Sequence, residues 1–145
     1  RDWAKVADLH VVVRLYTDDN ETLDLDIRRA SLVLMPSRSE GFGLAGLEAI
    51  VAGTPVLLSD KSGIGALLKE VLQPDQASRF LVRMYEDDRD YEGWGRAVDA
   101  VLRDRDAAFR RAAELRTLLG KQKTWAATIA GLLAELEQGR TMPFT

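Results

Sequence analysis

Glu40 and Glu48 stand on either side of a glycine-bearing turn, Gly41-Phe42-Gly43, and the three features together suit a polar, phosphate-bearing ligand. Gly41 and Gly43 remove the Cβ atoms that would hold a ligand off the backbone. A helix beginning at about Gly43 turns unpaired N–H groups and the positive end of its dipole toward that loop, which favours an anion such as phosphate. Counting about 100° per residue from Leu44, the apolar Leu47 and Val51 fall within roughly 60° of it and Glu48 roughly 40° to the other side. This places the Glu48 carboxylate at the edge of the expected core-facing stripe, with Gly46 and Ala49 opposite. Five residues at about 1.5 Å each put Glu48 roughly 7.5 Å along the helix, close to the separation of a nucleotide's pyrophosphate and its ribose. A carboxylate there can accept hydrogen bonds from both hydroxyls of a vicinal diol. Arg38 and Lys61, in two separate loops, are cations able to offset phosphate charge. Each residue also has a plainer use: Glu48 as a surface or capping carboxylate, Glu40 as a loop acid favouring the helix start, Arg38 and Lys61 as solvated side chains, Phe42 as a core anchor rather than a sugar-stacking ring.

These groups need a scaffold, and the flanking sequence supplies the signals for one. Ser31 to Met35 is a short apolar run ended by Pro36, which cannot donate to a sheet ladder. Upstream, residues 9–15 (LHVVVRL) predict a strand buried on both faces except near Arg14, and a helix over about 23–30 capped by Asn20 or Thr22. Strand, helix and strand in so short a span make a parallel βαβ unit with a right-handed crossover. Downstream, Gly53 ends the central helix and Pro55 to Leu58 form the next strand. Ser59-Asp60-Lys61-Ser62-Gly63 is then a second polar loop, before a helix over about 64–72 that Pro74 stops and a fourth strand within Arg79 to Met84. In such a sheet the loops gather at the carboxyl edge, where ligands bind, so the two glycine-bearing loops should face one crevice. From Asp88 the period is helical: Trp94, Val98, Val101 and Leu102 line one face, Phe109, Ala112, Ala113 and Leu115 a second, and Trp125, Ile129, Leu132, Leu133 and Leu136 a terminal amphipathic helix. The charged runs Asp87 to Asp90 and Arg103 to Arg111 read as solvated helix surface, and His10 as structural. The expected class is α/β: a Rossmann-like parallel sheet of about four strands flanked by helices, with a helical C-terminal part.

Length and composition narrow the alternatives. At 145 residues the chain suits one domain, and 46% hydrophobic with 30% charged residues is ordinary for a soluble globular protein. It has no cysteine and one histidine, which rules out disulfides and thiolate metal sites and leaves little from which to build a zinc site. A net charge of −3 with acids and bases interleaved suggests no nucleic-acid face. With no apolar run long enough for a membrane span and no signal-peptide pattern, the expected setting is cytoplasmic.

Met35-Pro36-Ser37, Glu40-Gly41-Phe42-Gly43-Leu44, Glu48-Ala49 and Ala52-Gly53-Thr54-Pro55-Val56 resemble the signature of retaining glycosyltransferases of the family 4 type, which have the two-domain GT-B fold. The resemblance implies that residues 1–138 are the C-terminal, nucleotide-sugar-binding half of that fold and 139–145 a tail or linker remnant. By it, Glu48 holds the ribose, Glu40 is the catalytic-site acid on the donor sugar's hydroxyls, and the backbone of Gly41, Phe42, Gly43 and Leu44 sits on the phosphates. It implies a nucleoside-diphosphate sugar as substrate, no cofactor, and a separate acceptor-binding domain or chain as partner. Two features depart from the family. The usual first strand, whose loop carries an Arg and a Lys that clamp the leaving diphosphate, has no counterpart before residue 9, and a glycine-proline-glutamate pattern is replaced by Gly63-Ile64-Gly65-Ala66-Leu67-Leu68. The chain is therefore expected to be inactive in isolation. The alternative is a non-catalytic glycosyltransferase-like module serving interaction or signalling in a larger multidomain protein. A generic dinucleotide-binding domain is disfavoured, because the glycine fingerprint follows neither of the first two expected strands.

Overall fold

The computed structural model describes residues 10, 12, 13, 20–38 and 41–121, and within them the fold is α/β. Three short strands, β1 (Val33–Met35), β2 (Val56–Ser59) and β3 (Leu81–Val82), form one parallel sheet in the order β1-β2-β3. Val33 pairs with Val56 and Met35 with Leu58, and Leu58 in turn with Leu81. Parallel neighbours need crossovers. These are α2 (Leu44–Ala52) between β1 and β2, then α3 (Gly63–Val71) and the single turn α4 (Pro74–Ala77) between β2 and β3. Helix α1 (Asn20–Arg29) precedes the sheet, while α5 (Arg89–Arg103) and α6 (Arg105–Lys121) follow it.

β2 is buried along its whole length because helices cover both faces. Val56 and Leu58 join a cluster with Ile50, Ile64, Leu68, Leu115 and Leu119, whereas Leu57 joins Val82, Val101 and Ala108 on the other side. Alternation along the strand assigns the two sets. Gly53 closes α2 in the left-handed region at φ 74°, returning the Thr54 N–H to the Ala49 carbonyl at 3.0 Å. The buried Thr54 hydroxyl then donates to the Ile27 carbonyl at 3.0 Å, tying the end of α1 to the turn that leads into β2.

Several expectations change. The stripe expected through Leu44, Leu47 and Val51 is only partly kept: α2 buries Gly46, Ala49 and Ile50, Leu47 is half-buried against the core, and Leu44 and Val51 are 49% and 55% exposed. The cause is close approach to the sheet, since a Cβ on Gly46 would lie 2.6 Å from Leu58 Cδ2. Only small residues fit there, and a count of large apolar residues misses such a face. Glu48 accordingly lies on the exposed face and not at a core edge. The strand expected at 9–15 falls mostly outside the described residues; Val12 and Val13 belong to no strand and are exposed, since β-branched composition favours pairing but does not provide a neighbour. Pro74 starts α4 at its first position instead of merely stopping α3, which ends at Val71. Phe109 and Ala113 are exposed, and α6 buries Ala108, Ala112, Leu115 and Leu119. Residues 125–136 and 139–145 lie outside the described residues.

Candidate functional site

All three strands point the same way, so the segments leaving β1, β2 and β3 share one edge of the sheet. The first carries Arg38 and the glycine loop, the second Asp60, Lys61 and Ser62, the third Arg83 to Asp88. Glu40 lies outside the described residues.

The glycine loop ends in Gly43, which caps α2 in the left-handed region at φ 89°, a conformation natural to glycine. Gly43 has no side chain with which to cap α2. The Gly43 carbonyl takes the Gly46 and Leu47 N–H groups at 3.0 and 3.3 Å, while the N–H groups of Phe42, Gly43, Leu44 and Ala45 have no partner among the described residues. Gly43 itself is buried, so the open approach is along exposed Gly41 and Leu44. A Cβ on Gly41 would meet no described atom, so packing does not require a glycine there. Phe42 is 8% exposed and belongs to the core cluster, which settles its ring as an anchor and leaves only its backbone for a ligand.

Glu48 sits one turn beyond Leu44 on the same exposed face, roughly 6 Å along the axis, and makes no hydrogen bond or ion pair among the described residues. A carboxylate and helix-start amides that lack partners among the described residues thus stand one turn apart on α2, an acceptor beside several donors. Arg38 is exposed and lies near enough to Asp87, in the loop after β3, to help depress its carboxyl. The side chain of Arg89 depresses Asp87 most, at 2.6 Å, then the Arg89 N–H. Lys61 is exposed, and its N–H donates to the Ser59 hydroxyl at 3.1 Å.

The second loop is spliced into the first. The N–H groups of Gly63 and Ile64, at the start of α3, donate to the Gly41 and Phe42 carbonyls at 2.9 and 2.7 Å. Ser62 caps the same turn, accepting from the Gly65 N–H at 3.1 Å while its hydroxyl donates to the Ser59 carbonyl at 2.7 Å. The expected convergence of the two loops is therefore direct backbone bonding.

Sequence patterning missed the acids that shape the third loop. Asp90, expected as part of a solvated surface, is 5% exposed and accepts from the Tyr85 and Glu86 N–H groups at 2.6 and 3.0 Å. Glu86 is held at φ 64°, uncommon for a residue with a side chain. Asp60 accepts from the Met84 N–H at 2.9 Å, and the Arg83 and Arg89 guanidiniums each lie over the Tyr85 ring, 5.0 and 4.1 Å from its centroid. An acid directly after a buried strand was the available signal for Asp60; Asp90 had none. Among the described residues no cluster of acids and histidine suits a metal ion, and no helix is long and apolar enough to cross a membrane.

A parallel sheet with a glycine turn at the start of a helix is a Rossmann-like α/β arrangement, and the similarity to known proteins gives it a family. Residues 1–132 match the family described as "Family 4 Glycosyltransferase in conflict systems", and the chain belongs to it. Its relatives include the D-inositol 3-phosphate glycosyltransferase of Nocardia farcinica, 39% identical over 106 residues, covering 73% of this chain and 21% of that protein. A glycogen synthase of Mycobacterium tuberculosis is 36% identical over 121 residues, covering 83% and 27%. An uncharacterized glycosyltransferase of Methanocaldococcus jannaschii is 35% identical over 95 residues, covering 66% and 22%. The chain thus spans between a fifth and about a quarter of the length of these curated relatives. No solved structure matches it.

Proposed function

We propose that this chain is the nucleotide-sugar-binding domain of a retaining glycosyltransferase, one half of a GT-B fold. The supporting observation is the exposed face of α2, where Leu44 and Glu48 lie one turn apart beside amides with no described partner. On this reading the donor diphosphate lies against the glycine loop and the start of α2, where dipole and N–H groups favour negative charge. Glu48 takes the ribose hydroxyls, and Arg38 and Lys61 offset phosphate charge from the flanking loops. Glu40 contacts the donor sugar. Catalysis then rests on positioning and on stabilising the leaving diphosphate, with the acceptor held by a separate domain or chain and no cofactor. The expected setting is cytoplasmic.

Calorimetric titration with UDP, GDP and ADP tests this. One of them should bind, and Glu48→Ala should weaken it at least about tenfold, or about 1.4 kcal/mol. A folded sample giving no heat with any of the three overturns the proposal.

The divergent loop Gly63-Ile64-Gly65-Ala66-Leu67-Leu68 favours a second reading: a module without transfer activity that serves interaction or signalling in a larger protein. In that case Glu48→Ala leaves the parent protein's cellular role intact.

A further inference from the structure

The first turn of α3 is built to hold another loop. Amides at a helix start ordinarily face water, a cap or an anion. Here Gly63 and Ile64 donate to the carbonyls of Gly41 and Phe42, and Gly65 donates to the Ser62 hydroxyl. The positive end of the α3 dipole therefore faces the backbone of the glycine loop. A Cβ on Gly63 would lie 2.7 Å from the Gly41 oxygen and 2.9 Å from Phe42 Cα. Both are backbone atoms, so relief would require the loop to move. Gly63 is not in the left-handed region, so close approach, not conformational freedom, requires a glycine.

We infer that Gly63 is a positioning residue that aims the amides of the glycine loop at a phosphate. In a trans peptide the C=O and the following N–H point in opposite directions. Fixing the Gly41 and Phe42 carbonyls toward α3 therefore turns the N–H groups of Phe42 and Gly43 away from it. Those are two of the N–H groups that have no partner among the described residues. The start of α2, with the positive end of its dipole, lies at the same turn and favours a phosphate oxygen as their acceptor. The ligand's identity rests on the donor-binding proposal above; the brace does not.

Amide hydrogen exchange on the whole chain tests the brace without any ligand. In the unsubstituted protein the Gly63 and Ile64 amides should exchange at least about 100-fold slower than unprotected ones, although they open a helix; exchange at the unprotected rate overturns the inference. Gly63→Ala should speed exchange of the Gly46 and Leu47 amides about tenfold or more. Ser62→Ala, which removes the cap of α3 but leaves the brace, should not. Titration then reads the consequence. Gly63→Ala should weaken a nucleoside diphosphate at least about tenfold and the matching nucleoside less than twofold, while Ser62→Ala preserves the ratio. Equal losses for both ligands, or the same change in both variants, overturn the positioning role. If no nucleotide binds the unsubstituted chain, the donor-binding proposal fails and the exchange measurements still decide the brace.

Discussion

Glu48 and Asp90 are both helix acids next to apolar residues, yet their surroundings differ completely. Asp90 is buried and answers two backbone N–H groups, whereas Glu48 is exposed and answers none among the described residues. Removing the first leaves two donors short of a partner, at roughly 1–3 kcal/mol each when fully desolvated. Asp90→Ala should therefore lower stability by about 2 kcal/mol or more, and Glu48→Ala by less than about 0.5 kcal/mol, as read by urea unfolding. A large loss from Glu48→Ala would return that residue to a structural role. Asp87 offers a test of where Arg38 lies. Its carboxyl is held below the usual range of about 4, by the Arg89 side chain first and by Arg38 least. Because the folded-state value is the lower one, this contribution is present above the usual range and lost as pH falls through the lowered value. Following the Asp87 carboxyl carbon by NMR, Arg89→Ala should raise its titration midpoint clearly and Arg38→Ala slightly; no change with Arg38→Ala would remove that guanidinium from the crevice. Residue types alone distinguished none of these environments, because burial of an acid is decided by where the backbone places unpaired donors.

At the scale of elements, order and direction were legible and facing was not. Proline after Met35, glycine after Ala52 and the polar loop after Leu58 marked the boundaries of β1, α2 and β2, because those residues restrict the backbone directly. Which side of α2 meets the sheet depends on separation. A helix packed closely buries its small residues, so Gly46 and Ala49 go inward and Leu44 and Val51 outward, against the ordinary rule for large apolar residues. A pair of substitutions separates the two assignments. Gly46→Ala gains about 1 kcal/mol in helix propensity but drives a methyl into fully buried Leu58, and overpacking of this kind costs about 1–3 kcal/mol. The net result should be a lower unfolding midpoint. Val51→Ala should change stability by less than about 0.5 kcal/mol. The opposite ranking would restore the stripe drawn from the sequence. The same limit explains the site: the loop and the helix start could be placed from sequence, but the bonding of α3 to the carbonyls of that loop could not, since nothing in Gly63-Ile64-Gly65 marks a partner 22 residues away.

For the whole molecule, the decisive quantity is how much of a transferase this chain contains. It aligns with 21% of one curated relative and 27% of another, and among the described residues the candidate site lies at one edge of a single sheet. Glycosyl transfer requires donor and acceptor to be held in near-attack geometry with water excluded, a task worth roughly 7–11 kcal/mol of barrier when the reacting groups are well oriented. On the donor-half proposal, this edge binds the donor and leaves the orienting of a second substrate to a separate domain or chain. At donor concentrations that saturate the chain, the rate of nucleoside diphosphate release should therefore equal that of the same donor in buffer, with or without a trial acceptor. Binding without release is the result that fits a donor half. Release above the buffer rate that Glu48→Ala abolishes would show that the chain carries its own acceptor geometry, and the division of labour proposed for it would have to be withdrawn.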